Sequence, residues 1–241
     1  MVMNFLEGEL RKTGDPHDAE RAKIVTIMHK ARGSDIPLPT SETKTVALST
    51  PELNLENEWL RQTRKYIKLG FHKELNLSKK EYLDSLPKFG PQPENFKGRF
   101  DIPVMVETRI SVERQCELAG IDYLLGSLSC IDWPNDPQGY KTPKKPYITW
   151  MQDGAKNLRE KVEIVREKLA KDERGATIFD GIAFYLAQPK SLKDHSIDLP
   201  GTTVGVGGAS YLSLFDDRPG LRCYRVANVD PNYGPASCGR S

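Results

Sequence analysis

Apolar residues recur at helical spacing along much of the chain. Over 15–33, Asp15 reads as N-cap, Pro16 as first helical residue and Gly33 as stop, with Ile24, Val25, Met28 and Ala31 on one face. A longer helix is predicted over 50–69, opened by Thr50 and Pro51 and ended by Gly70, with Leu55, Trp59, Thr63, Tyr66 and Ile67 as its buried stripe. Ser78 and Glu81 have capping-box spacing ahead of Tyr82, Leu83 and Leu86. Ser111 and Gly120 bracket a short helix, and 178–186 is apolar nearly all round, as for a buried one. The clearest periodicity spans 156–174, where Leu158, Val162, Val165 and Leu169 fall at i, i+4, i+7 and i+11 before Gly175.

Strand signals are fewer. Residues 101–108 (DIPVMVET) and 147–151 read as strands, while 123–130 fits strand or helix equally. Near the C-terminus, two alternating stretches flank DDRPG and predict a β-hairpin with Pro219 and Gly220 in its connection. Helices and strands in irregular order, ending in a hairpin, imply an α+β fold rather than a regular βαβ sheet. Residues 34–49, rich in Ser, Thr and Pro, read as a linker between a helical extension (1–33) and a main domain (50–241).

Composition narrows the class. The chain has 241 residues, 38% hydrophobic and 28% charged, enough for one sizeable core. No apolar run reaches the roughly 18 residues of a membrane span. The start, MVMNFLEGEL, lacks the pattern of a secretory leader. With four cysteines, this places the expected protein in a reducing cytoplasm with free thiols. A net charge of +2 does not by itself imply a nucleic-acid partner.

Candidate chemistry is sparse. Cys116, Cys130, Cys223 and Cys238 lack the close pairing of a structural zinc site. A nucleophilic thiolate needs a base; Cys238 with His195, oriented by Asp194 or Asp198 in a loop, is the pairing the sequence offers. The glycines of VGVGGAS (204–210) precede a strand, not the helix a dinucleotide fingerprint requires, so they are read as a turn or bulge and no cofactor is expected. Residues 61–80 carry seven Lys or Arg against one acid, Glu74. Arg61, Arg64, Lys65, Lys68 and Lys73, with Tyr66 and Phe71 interleaved, form the candidate phosphate-binding surface. Lys141, Lys144 and Lys145 add to it.

The succession SKKEYLDSLP, DIPVMVET, ATIFDGIAFYLAQP, a glycine-bearing hairpin and a terminal ASCGR resembles an uncharacterised bacterial family, a domain of unknown function ending in a short Ala-Ser-Cys motif and an arginine. The resemblance covers roughly 55–241 and transfers no activity. It implies that the tail belongs to the domain, with Ser237, Cys238 and Arg240 against the fold and Arg240 available to a carboxylate. The leading expectation is a non-catalytic cytoplasmic module that binds another protein, with no membrane association. The alternatives are a thiol-dependent enzyme using Cys238 and a nucleic-acid binder using 61–80.

Overall fold

Local capping fixes most of the helices. A computed structural model describes residues 54–125, 131–132, 139–205, 207–227 and 230–240. The chain divides between Thr50 and Pro51, and every described residue belongs to the second unit. The expected helix over 15–33 and the linker over 34–49 lie outside the described residues. Helix α1, Leu55–Leu69, is capped by Asn54, whose side chain accepts the Asn57 N–H at 2.9 Å, so it starts later than Thr50. Gly70, at φ 87°, ends it and leads into α2, Phe71–Glu74. The capping box at Ser78 and Glu81 is present at the head of α3, Lys79–Asp84. Ser111 and Gly120 bound α4, Val112–Ala119, as the sequence predicts.

One periodic stretch behaves differently. Of the helix predicted over 156–174, only α5, Val162–Lys168, is helical. Ahead of it, Ala155–Asn157 form a 3-10 turn, Arg159 takes φ 70°, and the Arg159 N–H donates to the Tyr233 carbonyl at 3.2 Å. Leu158, placed in the predicted stripe, is exposed. Behind it, Glu173–Gly175 become a strand because the C-terminal tail pairs with them. Helix α6, Ile178–Ala187, is buried and capped by Thr177 and Asp180.

The strands form two sheets. In the first, β1 (Ile102–Val106), β4 (Tyr147–Gln152), β10 (Ser237–Gly239) and β5 (Glu173–Gly175) lie in the order β1-β4-β10-β5, all antiparallel. In the second, β2 (Asp122–Tyr123), β8 (Arg218–Arg225), β7 (Gly208–Phe215), β6 (Ser196–Val204) and β3 (Ile131–Asp132) follow in that order, and β9 (Tyr233–Pro235) pairs with β6. Among the described residues, six helices and two sheets make the fold α+β. The β7–β8 hairpin exists, but its connection is Asp216–Asp217, both at positive φ (49° and 61°), the signature of a type I′ turn. Pro219 is instead a strand residue paired with Leu214. Gly205 and Gly207, both at positive φ, turn β6 into β7, as read from VGVGGAS.

The tail joins the sheets. Residue Ala236 separates β9, in the second sheet, from β10, in the first; its N–H donates to Asp198 O and its carbonyl accepts from Ala176 N–H, each at 3.0 Å. Close backbone contacts make this passage possible. A Cβ on Gly234 would lie 2.3 Å from Gly154 O, and one on Gly175 would lie 2.5 Å from Gly201 N. Helix α6 packs against β1, β6 and β7, so one core, including Met105, Met151, Ile182, Phe184, Leu199 and Leu212, lies between the sheets and the helices.

Candidate functional site

Strand alternation sorts the second sheet into two faces. Ile197 and Leu199 of β6, Leu212 of β7 and Leu221 of β8 are fully buried in the core. Their neighbours point the other way: Asp198, Tyr211, Phe215, Arg222 and Tyr224, with Tyr233 of β9. Register brings these together, since Asp198 pairs with Tyr211 and with Pro235, and Tyr211 pairs with Arg222. The Tyr211 ring lies 5.3 Å from Tyr224 and 5.0 Å from Tyr233, and Tyr224 and Tyr233 are 5.8 Å apart. Phe215, at the hairpin tip, is 60% exposed.

Asp198 is 0% exposed, and neither carboxyl oxygen has a hydrogen-bond partner of ordinary geometry. Burial pushes its carboxyl up to about 7. The Tyr224 hydroxyl, a looser contact, partly offsets this, and the Asp230 carboxylate adds to it. Burial also raises the Tyr224 and Tyr233 phenols, Tyr224 further through Asp198 and Tyr233 further through its bond with Tyr211. The face therefore joins a buried acid, in loose contact with the Tyr224 hydroxyl, to a cluster of aromatic rings packed edge-on. Such buried titratable groups concentrate at functional sites.

A second polar cluster is closed inside the first sheet. Arg174, 2% exposed, forms a two-pronged ion pair with Asp180, with Nη1–Oδ2 at 2.6 Å and Nη2–Oδ1 at 3.1 Å. The Tyr147 hydroxyl donates to Asp180 at 2.8 Å, and so do the Thr177 N–H and hydroxyl. Burial opposes the charge on Asp180, and Arg174 with the Thr177 donors outweighs it, holding the carboxyl below its ordinary value. The Tyr140 ring centre is 4.1 Å from the Arg174 guanidinium carbon. Cys238 pairs with Arg174 across the sheet and is fully buried.

The predicted thiol site is not assembled. Burial pushes the Cys238 thiol up to about 12 despite Arg174 beside it, which is the opposite of an activated thiolate. The charged groups acting on it are Arg174, Asp180 and Glu173, not His195. His195 is itself buried, with Nε2 3.0 Å from the Asp153 carbonyl. Its segment is no loop: β6 begins at Ser196 and carries Asp198 to the outer face. Arg240 is exposed, and its backbone N–H, not its guanidinium, is engaged, on Asp172 O at 2.7 Å. The arginines that meet buried carboxylates are Arg174, on Asp180, and Arg109, on Glu107, neither of which stands out in the sequence. Cys116 and Cys238 are buried free thiols, Cys223 is an exposed one, and Cys130 lies outside the described residues.

The basic segment divides into two parts. Arg64, Lys65, Lys68 and Lys73 are exposed, the first three on one face of α1. Arg61 is exposed as a residue, yet its guanidinium bonds Glu58 and donates from Nη1 to Ala187 O at 2.8 Å, tying α1 to the end of α6. Tyr66 and Phe71, the aromatics interleaved with these charges, are core residues in edge-on contact and offer no stacking surface. Comparison with protein-family models, curated proteins and solved structures finds no match. Among the described residues, no helix is long and apolar enough to cross a membrane.

Proposed function

We propose that the chain is a non-catalytic module that binds another protein, and that its binding surface is the outer face of the six-stranded sheet. The observation that carries this is the row of aromatic side chains Tyr211, Tyr224, Tyr233 and Phe215 beside Arg222, with Phe215 60% exposed at its end. Tyrosine, phenylalanine and arginine are the residue types enriched at the centres of protein interfaces. The sealed, elevated Cys238 thiol favours binding over thiol chemistry. The three cysteines among the described residues are free thiols, Cys223 exposed, and they fit a reducing cytoplasm.

The test compares the proteins co-purifying with the full chain and with Phe215→Asp and Tyr224→Ala variants that melt like the parent. A binding face predicts a defined set lost from both variants. An unchanged set would move the interface elsewhere, with the exposed stripe Arg64, Lys65 and Lys68 the next surface to alter.

A further inference from the structure

We propose that the protein partner contributes an extended acidic segment, which adds as a strand to the open edge of β8 beside Arg222 and Arg225. This rests on the interaction-surface reading and adds how the partner is held.

The sheet edge is the first argument. On the far side of β7, strand β6 is covered by β9 at 196–198 and by β3 at 203–204. On β8 the flanking strand β2 pairs only with Gly220 and Leu221, and the Leu124 N–H donates to the Leu221 carbonyl at 2.9 Å. Main-chain groups of successive strand residues point to opposite edges, so those of Cys223 and Arg225 face the same way as those of Leu221. Among the described residues no strand pairs with them there, and both residues are exposed. Elsewhere the fold closes such an edge. Along β1, the Gln62 side chain accepts from the Met105 N–H and donates to the Pro103 carbonyl, each at 2.8 Å, and the Tyr66 hydroxyl donates to the Met105 carbonyl. An uncovered edge is a template for a further strand, whose main chain gives affinity and whose alternate side chains give specificity.

Charge is the second argument, and it names the side chains. Strand β8 carries Arg218, Arg222 and Arg225 and no acid. Among the described residues none of the three forms an ion pair, with Asp216 and Asp217 of the turn and Asp122 of β2 included. The Arg222 Nε is buried without a hydrogen-bond partner, and the guanidinium lies 5.0 Å from the Phe215 ring. A carboxylate fits the planar fork of an arginine and supplies the missing acceptor. Arg222 shares its face with Tyr211 and Tyr224, while Arg225 lies on the other. A strand with a carboxylate beside Arg222 therefore runs next to the aromatic cluster, and one beside Arg225 fixes its other face.

The experiment titrates the full chain by calorimetry with three end-blocked peptides. The first alternates Thr and Glu, the second has Lys for Glu, and the third is the Thr-Glu peptide N-methylated at every amide, so that it has no main-chain donor. The Thr-Glu peptide should bind, and each of the others at least about tenfold more weakly. At saturation it should slow alkylation of Cys223 in the folded protein. Arg222→Gln and Arg225→Gln should each weaken it at least about threefold while melting like the parent. Failure of the Thr-Glu peptide to bind, equal binding of either control, unaltered affinity in both arginine variants, or unchanged Cys223 labelling at saturation would overturn the inference. If it fails in one of these ways while Phe215→Asp and Tyr224→Ala still lose the co-purifying set, strand addition falls and the interaction surface stands. If those two variants leave the set unchanged, the surface reading itself falls.

Discussion

Asp198 and the Arg174–Asp180 pair show two outcomes of burying charge. Asp180 has an arginine, a tyrosine and a threonine to hold it ionised. Asp198 has neither a cation nor a well-formed hydrogen bond, and its carboxyl stays protonated up to about 7. The folded protein therefore binds a proton at Asp198 that the unfolded chain has already released at the ordinary carboxyl value. Stability falls as pH rises through that window, and the full cost is present above it. A shift of this size corresponds to something on the order of 4 kcal/mol. Asp198→Asn should thus melt like the parent at about pH 4 and increasingly above it toward about pH 8, a gap measured by thermal melts across pH. Replacing Arg174 with Met strands the Asp180 charge and should cost about 3–5 kcal/mol in denaturant unfolding.

Among the elements, β10 is the one that decides the architecture. It supplies hydrogen bonds to β4 and β5, which have no other contact as neighbours in the sheet. The side chains around it reinforce this: the Ser237 hydroxyl donates to Glu173 at 2.5 Å, and Gln152 Nε2 donates to Ser237 Oγ at 2.9 Å. Native alkylation followed by peptide mapping should label Cys223 at once and Cys238 only at the rate of unfolding. Fast labelling of Cys238 in the folded protein would mean that the tail leaves the sheet. Gly175→Ala sets a side chain against backbone of Gly201 and Pro200, neither of which is a yielding side chain. Such overpacking should destabilise by at least about 1–3 kcal/mol, read from the urea midpoint.

At the scale of the whole molecule, the tail fastens two sheets to one core and leaves the far face of the second sheet carrying aromatic side chains and Asp198. The inner face is covered by α6, whose apolar residues contact both sheets, so no equivalent surface remains there. Partner binding at the outer face should therefore protect the amides of β7 and β8 from hydrogen exchange without altering β1 or β4. Protection confined to α1 would instead locate the partner on the basic stripe.

Capping, turn chemistry and burial patterns are local, and the sequence alone determined what depends on them. The Ser78 and Ser111 caps, the Gly70 and Gly120 stops, the strand at 101–108, the buried helix after Thr177 and the α+β class were all legible because each is set by residues a few positions apart. The helix predicted over 156–174 failed for the complementary reason. Its periodicity was real over α5, but the Tyr233 carbonyl and the tail strand, far along the chain, fixed its two ends. The same holds for the chemistry. Cys238 and His195 were visible as residue types, but only tertiary packing decided that one is sealed beside Arg174 and the other bonds a strand end. Asp198 acquired its neighbours through pairing with β7 and β9, so its burial and altered acidity depend on strand register, which no short stretch of sequence encodes.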